Sequence, residues 1–302
     1  MSDNFLSSDN YISLKHNPLT ASLAKVVLNF LNRDVKVYIF VATTGRSGTA
    51  SLERILAGIK GCTTHHEVYP IMHDDVMTAY NYNNPRPARN TYNYIKSINI
   101  KRTSIGYQYY AETNHMFIKS FIDFAAKDLN DKMAVIHLIR DPVSVAQSIT
   151  NLGHEPGTDM GNKWYIDYRA PKNLIKIADD LEHNTEFKNP FYKSLWYWYE
   201  IEARVEFWQA RLKRVRFFDL LTNDLNDQYK LMKLFSDMGI DYTPEAIANV
   251  ASTRENEKKA IKMTNTLDRQ QALDMHEKFQ RLLLERGYTL PVSLKYFSNA
   301  TP

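Results

Sequence analysis

The chain has 302 residues, 44% of them apolar and 24% charged, with a formal net charge of +4 at pH 7. That is enough apolar material for a sizeable core, whereas no run of about 18 apolar residues offers a membrane span and no dense Lys/Arg run offers a nucleic-acid surface. The single cysteine, Cys62, cannot close an intrachain disulfide and reads as a small buried hydrophobe in a reducing compartment. The opening segment MSDNFLSSDNYISLKHNPL lacks the basic start and apolar stretch of a secretory signal, so a soluble cytoplasmic protein with neither membrane nor nucleic-acid partner is expected.

Taken in chain order, residues 18–32 show helical spacing of apolar side chains and lead into a β-branched run at 35–42, read as a buried strand. A tight polar turn, TTGRSG, follows, and then a helix over 49–59. Further strands are expected at 61–67, 104–111, 133–139 and 213–218, with helices near 115–128, 142–151, 189–212, 224–238 and 266–286. Strands that alternate with helices imply a three-layer α/β fold, a mostly parallel sheet flanked by helices on both faces. We find no repeat or linker dividing the chain, so residues 1–302 read as one domain, with 152–190 a loop-rich surface insertion.

Two strand-to-helix bends carry chemistry. In TTGRSGTAS, Gly45 and Gly48 allow close backbone approach, and the amides of Ser47 to Ala50 face out at the positive end of a helix. The hydroxyls of Ser47, Thr49 and Ser51 and the permanent charge of Arg46 suit a phosphate or sulfate, and Thr44 and Gly45 count with them as candidate binding residues. The nucleotide-triphosphate loop needs four residues between its glycines and then Lys; here two residues separate Gly45 from Gly48 and no Lys follows. The second bend, VIHLIRDPVSVAQSI, places Arg140 at a strand end, Pro142 in the first helical turn and Ser148 about two turns on.

Together, in this order and with Ser148 eight positions after Arg140, the two bends resemble the PAPS-dependent sulfotransferase family, over roughly residues 35–240. The resemblance implies that Arg46, Ser47, Gly48, Thr49 and Ala50 bind the 5'-phosphosulfate of 3'-phosphoadenosine 5'-phosphosulfate (PAPS), while Arg140 and Ser148 hold its 3'-phosphate. The co-product would be the 3',5'-bisphosphate PAP, with no metal required. Phenol- and steroid-type members usually carry Lys where Arg46 stands, whereas Arg is common in other branches, including many bacterial members. The expected acceptor is a hydroxyl or amine of a small metabolite. A small-molecule P-loop kinase and a catalytically silent nucleotide-binding protein are the competing readings.

A general base should sit beside the phosphosulfate loop, and the second expected strand ends in TTHHEVYP. Glu67 is the first candidate and His66 the second, although Glu67 could equally serve only in an ion pair. Tyr107, Tyr110, Glu112 and His115, around the third expected strand, are candidates for an acceptor pocket, with a structural role for His115 left open. The aromatic tract around Trp196 and Trp198 reads as core, with adenine stacking as the alternative.

Overall fold

The computed structural model describes residues 18–242 and 267–297. Its centre is a five-stranded, all-parallel sheet in the order β2-β3-β1-β4-β5. In chain order the elements are α1 (Pro18–Leu31), β1 (Val37–Ala42), α2 (Thr49–Ala57), β2 (Cys62–His65), α3 (Asp75–Asn81), α4 (Arg86–Thr91), α5 (Ser97–Thr103), β3 (Tyr109–Glu112), α6 (Ile122–Leu129), β4 (Met133–Ile139) and α7 (Pro142–Thr150). There follow α8 (Asp159–Trp164), α9 (Ala178–His183), α10 (Pro190–Arg211), β5 (Arg216–Leu221), α11 (Gln228–Met238) and α12 (Arg269–Glu285).

The central strands β1 and β4 are buried along their whole length, as parallel strands covered on both faces must be. Side-chain alternation along β1 then splits the interior in two. Val37, Ile39 and Val41 pack with Leu52, Ile55 and Leu56 of α2 and with Leu231 and Phe235 of α11. Tyr38, Phe40 and Ala42 face the larger core, built from α6, α7, α10 and α12. Two apolar faces on one sheet require helices on both, which gives the three layers.

Some boundaries differ from the sequence reading. The third strand, expected at 104–111, runs Tyr109–Glu112, because α5 ends only at Thr103 and Ser104 Oγ donates back to the Ile100 carbonyl at 2.6 Å. The fifth, expected at 213–218, runs Arg216–Leu221, since Val215 still closes the turn after α10 through its amide to the Leu212 carbonyl. The start of the last expected helix, at 266, lies outside the described residues.

The segment 152–190 is no surface insertion. Tyr165, Ile166, Tyr168, Ile175, Ile177 and Phe187 are buried in the larger core. The buried carboxylate of Glu200 on α10 accepts from the amides of Leu174 and Ile175 at 3.0 and 2.9 Å and from Arg204 Nε at 2.7 Å. Polar composition suggested a loose loop, but a buried charge satisfied by two backbone amides and a guanidinium anchors it. Cys62 is half-buried rather than buried, and desolvation pushes its thiol up to about 12. Among the described residues no helix is long and apolar enough to cross a membrane.

Candidate active site

Chain order reverses at β1. The chain leaves β1 for β2 and β3 on one side, then places β4 on the other, and such a switch opens a crevice beyond the carboxyl ends of the strands. Ala42 pairs with His137, so the bend after β1 and the bend after β4 emerge side by side.

The first bend is shaped by backbone. Gly45, Arg46 and Gly48 all have positive φ, at 78°, 58° and 89°, which turns the loop back over the strand end. Gly48 caps α2 in the left-handed region with no side-chain acceptor, so the amides of Thr49 and Ala50 in the first helical turn have no intrachain acceptor among the described residues. Ser47 is buried, its hydroxyl 3.0 Å from that of Thr44, while Arg46 stays exposed.

The second bend meets it. Arg46 Nε donates to Ser148 Oγ at 3.1 Å, and an Arg140 guanidinium N–H donates to the backbone carbonyl of Arg46. Among the described residues neither guanidinium has a carboxylate within ion-pair distance. Burial, and then the neighbouring charge of Arg46, holds Arg140 below the ordinary arginine value. Asp141, next in sequence, is occupied in capping α7, accepting from the Ser144 amide at 2.7 Å. Two adjacent positive charges without a carboxylate counter-ion among the described residues, beside helix-terminal amides, have the chemistry that suits an anion.

Residues of α10, together with Thr222, hold this corner. Tyr197 Oη donates to the Thr44 carbonyl at 2.7 Å and Trp198 Nε1 to the Arg140 carbonyl at 2.9 Å, so consecutive positions of α10 fix one bend each. Trp196 Nε1 donates to the Ile175 carbonyl at 2.9 Å. Both tryptophans are fully buried, which leaves no face for adenine stacking. Thr222, just past β5, places Oγ1 2.9 Å from the Ser47 carbonyl oxygen and 3.2 Å from that of Ile139. Beside Arg140 opens a cavity of about 330 Å³ whose wall includes Ser144, Thr222, Arg269, Tyr296 and Phe297. Thr222 was legible as a hydroxyl following a strand, but nothing local marks Tyr197 or Tyr296.

The acceptor-side candidates divide. His65 pairs with Glu112 across β2 and β3, which brings the residues after both strands together. Glu67, left-handed at φ 52° and partly exposed, places Oε1 3.3 Å from His115 Nε2. His115 Nδ1 lies 2.8 Å from the amine of Lys119, which also donates to the Trp164 carbonyl at 2.6 Å. Burial, reinforced by the charge of Lys119, holds the His115 imidazole well below the ordinary histidine value. Burial likewise lowers Lys119 far below the usual lysine value. His115 also supports the first bend from below: a Cβ on Gly45 would stand 2.9 Å from His115 Nδ1. Tyr165 lies within electrostatic reach of both Arg46 and Glu67, its phenol pushed up to about 12 chiefly by burial. His66 is exposed, its Nδ1 2.9 Å from Thr113 Oγ1.

Three expected acceptor contacts are corrected. Tyr110 and Glu112 are fully buried: Glu112 forms an ion pair with buried Lys96 and accepts from Tyr110 Oη and Asn114 Nδ2, each at 2.9 Å. A carboxylate so fully satisfied is structural. Tyr107 is exposed but precedes β3, at the amino edge of the sheet, away from the crevice. The expected end of the strand, at 111, is one residue short of Glu112, but its start lies at Tyr109 rather than at 104, so Tyr107 falls before β3 while Tyr110 and Glu112 lie within it.

No family model and no curated protein matches the chain. Among solved structures, it is similar to the sulfotransferase domain from the curacin biosynthetic pathway, with a TM-score of 0.45 and 14% identity over 85% of this chain and 99% of that one. The sulfotransferase domain from the Synechococcus PCC 7002 olefin synthase gives 0.44 and 16% over 84% and 95%. A sulfotransferase from Alicyclobacillus acidocaldarius gives 0.42 and 12% over 85% and 98%. At these identities the likeness is one of architecture.

Proposed function

We propose that the protein transfers a sulfuryl group from PAPS to a hydroxyl or amine of a small metabolite. The observation that carries this reading is the meeting of Arg46, Arg140 and Ser148 at one crevice, with two guanidiniums lacking carboxylate partners among the described residues. A donor with an anion at each end fits two adjoining anion-binding bends better than a donor with one. The cavity beside Arg140, walled by Tyr296 and Phe297, offers apolar surface for a nucleoside between them.

In this reaction the acceptor oxygen or nitrogen attacks sulfur, the bond from sulfur to the bridging phosphate oxygen breaks, and PAP leaves carrying the charge. The first-turn amides of α2, with Arg46, stabilise the negative charge that builds on the leaving oxygen; Arg46 keeps its proton and acts electrostatically. Glu67 takes the acceptor proton. Its carboxylate is partly exposed, and the contact of Oε1 to His115 leaves Oε2 for the acceptor. Arg140 and Ser148 hold the 3'-phosphate.

Thermal unfolding with added nucleotide tests the reading. PAP should raise the midpoint more than 5'-AMP does, and Arg46→Ala and Arg140→Ala should each remove most of the gain. Equal stabilisation by 5'-AMP overturns the 3'-phosphate assignment. Labelled PAPS offered with a metabolite panel should transfer label without magnesium, whereas chelator-sensitive ATP turnover would assign a kinase instead.

A further inference from the structure

Lys119 is a lysine buried to 0% exposure with no carboxylate within ion-pair distance among the described residues. An amine in such a place needs a purpose, because burying a cationic group without a counter-ion costs several kcal/mol by general estimates. Its surroundings are specific. The Trp164 carbonyl at 2.6 Å can only accept, so Lys119 donates to it. The rings of Tyr165 and Tyr197 each lie 5.4 Å from Nζ, a distance at which an aromatic face attracts a cation. The remaining polar contact is His115 Nδ1, at 2.8 Å.

His115 and Lys119 stand four residues apart, and the π-helical turn Phe117–Phe121 holds Lys119 beneath the imidazole. The ring plane is restrained by Trp164, whose indole stacks on it at 6.2 Å and 17°. On the far side of the imidazole, Nε2 faces Glu67 Oε1. A neutral imidazole has one N–H, and which nitrogen carries it depends on the neighbour of the other.

We propose that Lys119 is a positioning residue that donates to His115 Nδ1, thereby placing the imidazole proton on Nε2, where it is donated to Glu67 and aims that carboxylate at the acceptor. The relay rests on the reading of Glu67 as the general base. It runs from Lys119 to His115 Nδ1 at 2.8 Å, and on from Nε2, which lies 3.3 Å from Glu67 Oε1, within ion-pair distance. Reversing the imidazole would turn its N–H toward the Lys119 amine at one end and set a bare nitrogen against the Glu67 carboxylate at the other. No proton moves along it during the reaction: the acceptor proton goes to Glu67, and His115 keeps its own.

Nitrogen-15 NMR of histidine-labelled protein reads the tautomer directly, with the His115 signals identified by their loss in His115→Gln. In the wild type, Nε2 should be protonated and Nδ1 bare at neutral pH, without any ligand added. In Lys119→Met, which fills the same space and donates nothing, the Nε2–H tautomer should lose its dominance. Under the sulfotransferase reading the same variant should lower kcat at least about tenfold, as loss of a supporting contact commonly does, while PAP binding stays within about twofold. A wild-type imidazole protonated on Nδ1 overturns the relay, whether or not Lys119→Met folds, because Lys119 would then be accepting rather than donating. The expected tautomers with no PAP-induced stabilisation leave the relay standing and overturn only the sulfotransferase reading.

Discussion

The two sides of the crevice are built on opposite electrostatic plans. On the proposed donor side, Arg46 and Arg140 have no carboxylate, and the first-turn amides of α2 no acceptor, among the described residues, and the fold supplies supports from behind through Tyr197, Trp198 and Thr222. On the acceptor side nearly every charged or polar group is engaged: Lys119 with Trp164 and His115, His115 with Glu67, and, one layer deeper, Lys96 with Glu112. A site that must receive a charged ligand keeps its binding groups unsatisfied, whereas a site that must orient one carboxylate satisfies everything except the atom that reacts.

That contrast should appear first in kinetics. Glu67→Gln keeps the acceptor side's shape but removes its proton acceptor, so turnover should fall on the order of 10²–10⁴-fold while PAP still raises the unfolding midpoint. Turnover near the wild-type level would move the base elsewhere and dissolve the division of labour. Arg140→Ala should do the reverse. PAP affinity, measured by calorimetry, should drop about 10–100-fold from the loss of charge-assisted contacts.

Gly45 is where the two sides touch. Its φ of +78° is strained for any other residue, and a Cβ there meets His115 Nδ1 at 2.9 Å. Gly45→Ala should therefore cost roughly 1–3 kcal/mol in urea unfolding and weaken donor binding and turnover together. A variant that lost only one of them would show the sides to be independent. Ser148→Ala removes one hydroxyl and should weaken PAP by only about tenfold or less.

The smallest effect concerns pH and belongs to the scaffold under the donor side. His137, on β4, lies 3.0 Å from Asp219 and 3.1 Å from Glu202, and Tyr296, which lines the donor cavity, donates to Asp219 at 2.9 Å. Burial opposes the imidazolium, but the two carboxylates outweigh it and raise its pKa to about 9 from 6.5. Because the folded value lies above the unfolded one, the stabilisation is complete below pH 6.5 and disappears as pH rises through about 9. Urea midpoints followed across that range should fall in the wild type and stay flatter in His137→Gln. An equally steep alkaline loss in the variant would place the sensitivity elsewhere.

Local pattern was sufficient to place the two bends of the proposed donor side. The β-branched runs before TTGRSGTAS and before Arg140 announce buried parallel strands, and a helix must follow each, so loop, amides and arginines take their places within one strand-turn-helix unit. The acceptor side resisted. Glu67 and His115 could be named, because each follows a strand, but Tyr107, Tyr110 and Glu112 looked equally suitable until the true start of β3 buried two and moved the third away. Lys119 and Trp164 carried no local signal at all.

From sequence alone came the three-layer parallel architecture and the two strand-to-helix bends, because both follow from short-range rules: periodicity sets the element and helix termini set the unsatisfied amides. Tertiary structure decided which polar side chains are spent on holding the fold and which stay available, since that depends on partners brought from distant segments. Glu112 and Glu67 both lie near strand ends beside a basic group, but packing spends the oxygens of Glu112 on Lys96, Tyr110 and Asn114, whereas it leaves Glu67 partly exposed.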